Sequence, residues 1–151
     1  AGALRWSSAA FPEARRVVWS PDGSRLLLVT SRRLVLFAAG RAQPVAVRPL
    51  AGVVDAAFAP GGRRLAVLRD RQLLLLDAAT LRGGERPLFA GAGRFDQVAW
   101  SPGGRWLLVS WPDADQWVFL RANGELAAVS NLAAQFEGSF PALAGWCCPR
   151  P

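Results

Sequence analysis

The chain of 151 residues contains no histidine, lysine, tyrosine or methionine. Without histidine, Ser-His-Asp and Cys-His arrangements lack their base, and the usual substitutes, lysine and tyrosine, are missing too. A zinc site would lose most of its ligands for the same reason. The two cysteines, Cys147 and Cys148, are adjacent, and neighbouring residues do not readily take up disulfide geometry. No metal, cofactor or catalytic centre is therefore expected within this chain. Long apolar runs are also missing: nothing approaches the roughly 18 residues needed to span a bilayer. The N-terminal AGALRWSS lacks the basic start and apolar middle of a secretory signal. Residue 1 is not a methionine, so a targeting segment upstream stays open.

Motifs for other chemistries fail on inspection. Gly83-Gly84 and Gly91-Ala92-Gly93 have no following helix and no Lys-Ser or Lys-Thr pair, so they read as turns and not as phosphate loops. Asp113 and Asp115 are the closest carboxylates, but a two-residue spacing after Pro112 is a turn signature, and a calcium site would need further oxygen ligands.

What the chain has is 52% hydrophobic residues, 18 arginines against 11 acids, and a net charge of +7. It also has an internal repeat. Val17-Val18-Trp19-Ser20-Pro21-Asp22-Gly23 returns as Ala56-Ala57-Phe58-Ala59-Pro60-Gly61-Gly62 and as Val98-Ala99-Trp100-Ser101-Pro102-Gly103-Gly104, the prolines standing 39 and 42 residues apart. Each turn is followed by an apolar run, Arg25 to Val29, Arg64 to Leu68 and Arg105 to Val109, and then by a second, Leu34 to Phe37, Leu73 to Leu76 and Trp117 to Leu120. The turn has its own logic: a type I turn favours Ser or Asp first, Pro second and Gly fourth. Val45 to Val47 and Leu126 to Val129 supply a fourth strand, the latter reached through Asn123-Gly124, a strong hairpin signal. Short, nearly continuous apolar runs bounded by turns read as strands buried on both faces. A period near 40 with four such strands predicts an all-β chain, a β-propeller fragment of four-stranded antiparallel blades.

The repeat divides the chain into 1–16, the end of a preceding blade or a linker; blades at 17–52, 53–94 and 95–133; and 134–151, the start of a further or ring-closing blade. Trp19, Phe58 and Trp100 hold equivalent positions and are expected in the core. Trp146 echoes them, as a core aromatic of an incomplete or closing blade. Three blades do not close a ring of four to eight, so the rest must come from the same polypeptide or from oligomerisation.

The S-P-D-G turn, preceded by an aromatic and followed by a basic and apolar strand, resembles the WD-like repeat of TolB-type β-propellers over residues 17 to 133. Gly61 and Gly103 replace the turn aspartate in two units, and the Gly-His and Trp-Asp pairs of true WD repeats are missing. The resemblance implies a non-catalytic scaffold that binds protein or peptide through blade-end loops, in a bacterial periplasm or envelope. Its alternative is the propeller of a prolyl-oligopeptidase-like hydrolase whose catalytic domain lies outside this chain.

Antiparallel blades carry Arg32, Arg33, Arg48, Arg69, Arg71 and Arg94 with Asp70, Asp113 and Asp115 to one end, and a comparable basic set to the other. A dedicated nucleic-acid site concentrates charge on one face, so nucleic acid is not the expected partner. The third repeat holds two extra residues within Trp111-Pro112-Asp113-Ala114-Asp115, and insertions of this kind map to binding loops. Trp111, Pro112, Asp113 and Asp115 are the candidate contact residues.

Overall fold

The computed structural model describes residues 11–146. Twelve strands form three four-stranded antiparallel sheets, each a meander in sequence order. Sheet I holds β1 (Ala14–Trp19), β2 (Arg25–Thr30), β3 (Arg33–Ala38) and β4 (Pro44–Pro49). Sheet II holds β5 (Val53–Phe58), β6 (Arg64–Arg69), β7 (Gln72–Asp77) and β8 (Phe89–Ala90), and sheet III holds β9 (Val98–Trp100), β10 (Trp106–Trp111), β11 (Gln116–Arg121) and β12 (Leu126–Ser130). The longest helix among the described residues is one turn, α1 (Leu132–Gln135), and none is long or apolar enough to cross a membrane.

The repeated turn is built as its residue preferences require. Gly23, Gly62 and Gly104 donate their N–H groups to the carbonyls of Ser20, Ala59 and Ser101 at 2.9, 2.8 and 2.8 Å. All three glycines have φ between 65° and 68°, where a side chain would be strained. In two turns the serine hydroxyl also binds the incoming strand: Ser20 Oγ accepts the Arg25 N–H at 2.9 Å, and Ser101 Oγ that of Trp106 at 3.0 Å. Ala59 cannot do this, yet its turn closes with the same backbone bond.

Each sheet has a leading face and a trailing face, because side chains alternate along a strand. The trailing face of sheet I, with Leu27, Val29, Leu34 and Leu36, packs on the leading face of sheet II, with Val53, Ala56, Phe58, Leu65, Val67, Leu74 and Leu76. The trailing face of sheet II, with Ala66, Leu68 and Leu73, packs in turn on Phe95, Val98, Leu107, Val109, Val118 and Leu120 of sheet III. The sheets converge at their first strands, β1 against β5 and β5 against β9.

Two expectations are revised. Strand β1 begins at Ala14, taking in Arg15 and Arg16, which the repeat boundary had left outside; a bulge between Ala14 and Arg16 extends the pairing beyond the apolar run. Trp19 is 54% exposed and not in the core, whereas Phe58 is 7% exposed. A leading face is covered by the sheet before it, and among the described residues no sheet precedes sheet I; Phe11 packs on the buried Leu28, Val35 and Phe37 of this face, edge-on to Phe37 at 6.0 Å. The fourth strand of sheet II is two residues long, because Gly84 to Pro87 leave the sheet after a single bridge between Leu76 and Gly83.

Candidate functional site

The two extra residues of the third repeat form a single 3₁₀ turn, Pro112–Ala114, closed by Asp115 in the left-handed conformation at φ 53°. Proline begins this turn because its fixed φ suits a first helical position. The turn leans on the connection between sheets II and III. Asp113 accepts the Arg94 N–H at 2.7 Å, and Trp111 Nε1 donates to the Ala92 carbonyl at 3.0 Å. Gly93 has φ 95°, and a Cβ there would meet that of Asp113 at 2.8 Å. The Gly91-Ala92-Gly93 turn thus lets two loops approach backbone to side chain.

The four nominated residues divide by task. Trp111 turns inward, edge-on to Phe95 and Phe89 at 5.3 and 5.8 Å. Asp115 accepts the Ala133 N–H at 2.8 Å and so holds α1 against the sheet. Pro112 shapes the turn. Asp113 alone among them lines an open groove of about 690 Å³, together with Val54, Asp70, Arg71, Gly93 and Arg94.

This groove lies where sheets II and III meet, at the end that carries the second-to-third-strand hairpins. Val54 is the bulged residue of β5, between Val53 and Asp55, and is 40% exposed. Asp70 occupies the β6–β7 turn at φ 50° and donates its N–H to Gly52 at 2.9 Å. Arg69 faces the Asp70 carboxylate at 3.5 Å, and Arg94 that of Asp113 at 3.9 Å. Both pairs are solvent-exposed and contribute little to stability. The groove therefore presents two carboxylates and two guanidiniums on backbone that other bonds already fix. Arg71 and Arg94 carry no signal in a single repeat; only superposing the repeats places them beside Asp113.

The opposite end carries a second groove, of about 670 Å³, lined by Arg63, Arg64, Arg82, Asp77, Leu75, Leu76, Gly83 and Ala122. It is basic, and its carboxylate is committed: hydrogen bonds from the Thr80 hydroxyl and the Thr80 and Ala79 N–H groups hold the Asp77 carboxyl below the usual range. Asp22 behaves likewise, its carboxyl lowered to about 2 by the Ser20 hydroxyl and by Ser24.

Deepest of the acids is Asp55, 1% exposed, at the convergence of the three first strands. It accepts the N–H groups of Ala56 at 2.7 Å and Val98 at 2.9 Å, and Arg16 approaches at 3.0 Å. One carboxylate thus ties all three sheets. Burial nevertheless raises its pKa, against those bonds and Arg16.

Among the described residues no group of histidine, cysteine or carboxylate side chains could hold a metal ion. Cys147 and Cys148 lie outside the described residues. No protein-family model and no curated protein matches the chain.

Proposed function

We propose that the three sheets are blades of a TolB-like β-propeller, and that the chain is a non-catalytic scaffold binding a protein or peptide through loops at one end of the blades. The convergence of β1, β5 and β9, with each trailing face packed on the next leading face, supports the propeller reading. Radial repetition of this kind leaves blade-end loops as the variable surface.

The observation that carries the binding reading is the groove shared by sheets II and III. Its lining comes from two blades, includes the exposed Val54, and carries charges of both signs. An extended peptide matches such a surface: an apolar side chain on Val54, a carboxylate on Arg71 and N–H donors on Asp70 and Asp113. Arg71 is the best probe, because among the described residues its side chain makes no ion pair or hydrogen bond that holds the fold.

Selection of a displayed random-peptide library on the whole chain tests the reading. Selected peptides are expected to lose at least about tenfold in affinity for Arg71→Glu, about 1.4 kcal/mol, with an unchanged circular dichroism spectrum. Selected peptides that bind Arg71→Glu as well as the parent, or no selected peptide at all, would overturn it.

A further inference from the structure

We propose that the basic groove between sheets II and III binds a phosphate monoester, with its doubly charged head on Arg63, Arg64 and Arg82 and its ester body on Leu75 and Ala122. The proposal goes beyond the peptide reading and does not rest on it, since this groove lies at the opposite end of the sheets.

The loop that builds the groove sets sheet II apart. The third and fourth strands are joined through residues 39–43 in sheet I and 122–125 in sheet III, but through 78–88 in sheet II. Extra residues in one unit of a repeat array map to loops on one face, often the binding face. This loop is anchored at its start. Asp77 Oδ1 accepts the Ala79 and Thr80 N–H groups at 3.0 and 2.8 Å and the Thr80 hydroxyl at 2.7 Å. Leu81 is fully buried in the core that sheets I and II share, and its φ is 57°. A bulky side chain is strained in the left-handed region, and such strain persists only where the surroundings impose it. Arg48 of β4 does so: its guanidinium donates to the Leu81 and Gly83 carbonyls, both at 2.6 Å. Arg82 stands between those two carbonyls, exposed, with its side chain on the groove.

The backbone beneath the three guanidiniums is fixed. The Arg63, Arg64 and Arg82 carbonyls accept the N–H groups of Ala78, Ala59 and Asp77 at 3.0, 2.8 and 2.8 Å. Their side chains are uncommitted: among the described residues none of the three makes an ion pair, hydrogen bond or ring contact. Other arginines at this end are used by the fold, Arg25 on the Gly62 carbonyl at 3.1 Å and Arg121 on Glu125 at 2.7 Å. Three arginines against the single carboxylate of Asp77 leave the groove with an excess of positive charge that a dianion matches. Arginine suits this oxyanion, because its planar fork binds phosphate oxygens two at a time. The volume of about 670 Å³ is more than a phosphate group fills and lies in the range of small-ligand sites. Leu75 and Ala122 give the rest of the ligand an apolar wall.

Calorimetric titration of the chain with phenyl phosphate at fixed ionic strength tests this. Arg82→Gln removes no side-chain contact of the fold and is expected to weaken binding about five- to tenfold. Arg105→Gln removes the same charge from an exposed position at the same end but outside the groove, and is expected to change affinity less than about twofold. The pH profile identifies the bound species. The arginines stay charged, the Asp22 and Asp77 carboxyls lie below the usual range, and the chain has no histidine, lysine or tyrosine. The second ionisation of the ester, near about pH 6, falls between pH 5 and 8, so affinity is expected to rise about tenfold across that interval as the dianion forms. Inorganic phosphate at pH 8 is expected to bind more weakly, because it lacks the body that meets Leu75 and Ala122; equal affinity would overturn the ester and leave the free ion. No binding at millimolar concentration, equal losses for Arg82→Gln and Arg105→Gln, or an affinity indifferent to pH overturns the proposal.

Discussion

Sheet II and sheet I carry the same strand order, turn and apolar runs, yet among the described residues the first has a sheet packed on each face and the second on one. Phe58 and Trp19 make the difference visible, since equivalent aromatics are 7% and 54% exposed. Burial in this fold is thus a property of the joint between sheets and not of the sheet itself. That is the behaviour of repeat proteins, whose stability is carried by interfaces between neighbouring units.

The largest effect should come from emptying a joint. Phe95 is fully buried between sheets II and III, stacked on Phe89 at 5.5 Å. Phe95→Ala is expected to cost about 3 to 5 kcal/mol in urea unfolding, whereas Trp19→Ala in the dilute monomer should change stability by less than about 0.5 kcal/mol. Equal losses at the two positions would break the comparison, because they would require sheet I to be covered as sheet III is.

Asp55 sharpens it electrostatically. Asp55→Ala leaves the Val98 and Ala56 N–H groups without their acceptor, an expected loss of about 1 to 3 kcal/mol. The pH dependence separates this residue from the turn acids. Because burial raises the folded pKa of Asp55, its ionisation favours folding least at neutral pH; that contribution is fully present below 3.8 and lost as pH rises through the raised value. Asp22 and Asp77 have lowered values, so their contribution is present above 3.8 and lost on acidification, for Asp22 down to about 2. Removing Asp55 should therefore make acid unfolding steeper. A shallower acid limb in Asp55→Ala than in the parent would contradict the assignment.

How much of this could be read beforehand follows from the range of each interaction. The turns were legible because Ser-Pro-x-Gly encodes local geometry, and the all-β class because the apolar runs are short and bounded. The inward turn of Trp111 was not, since it depends on Phe89, Phe95 and the Ala92 carbonyl of another sheet. Neither was the role of Asp55, which looks like any strand-end acid until β1 and β9 close around it. The exposure of Trp19 had the same cause. Equivalent residues were identified correctly, but Phe58 and Trp100 have a preceding sheet to pack on, and among the described residues Trp19 has none.

The smallest effect concerns the trailing face of sheet III and has an unusual sign. Ser110 is fully buried and its hydroxyl has no partner, although Val29 and Leu68 fill the equivalent positions in sheets I and II. An unpaired buried hydroxyl costs about 1 to 3 kcal/mol, and valine at this site restores the apolar side chain that the other two joints use. Ser110→Val is therefore expected to stabilise the isolated chain by about 1 kcal/mol, where most core substitutions destabilise. Thermal and urea unfolding of the variant would read it directly. A loss of stability would mean that the hydroxyl has an acceptor in solution.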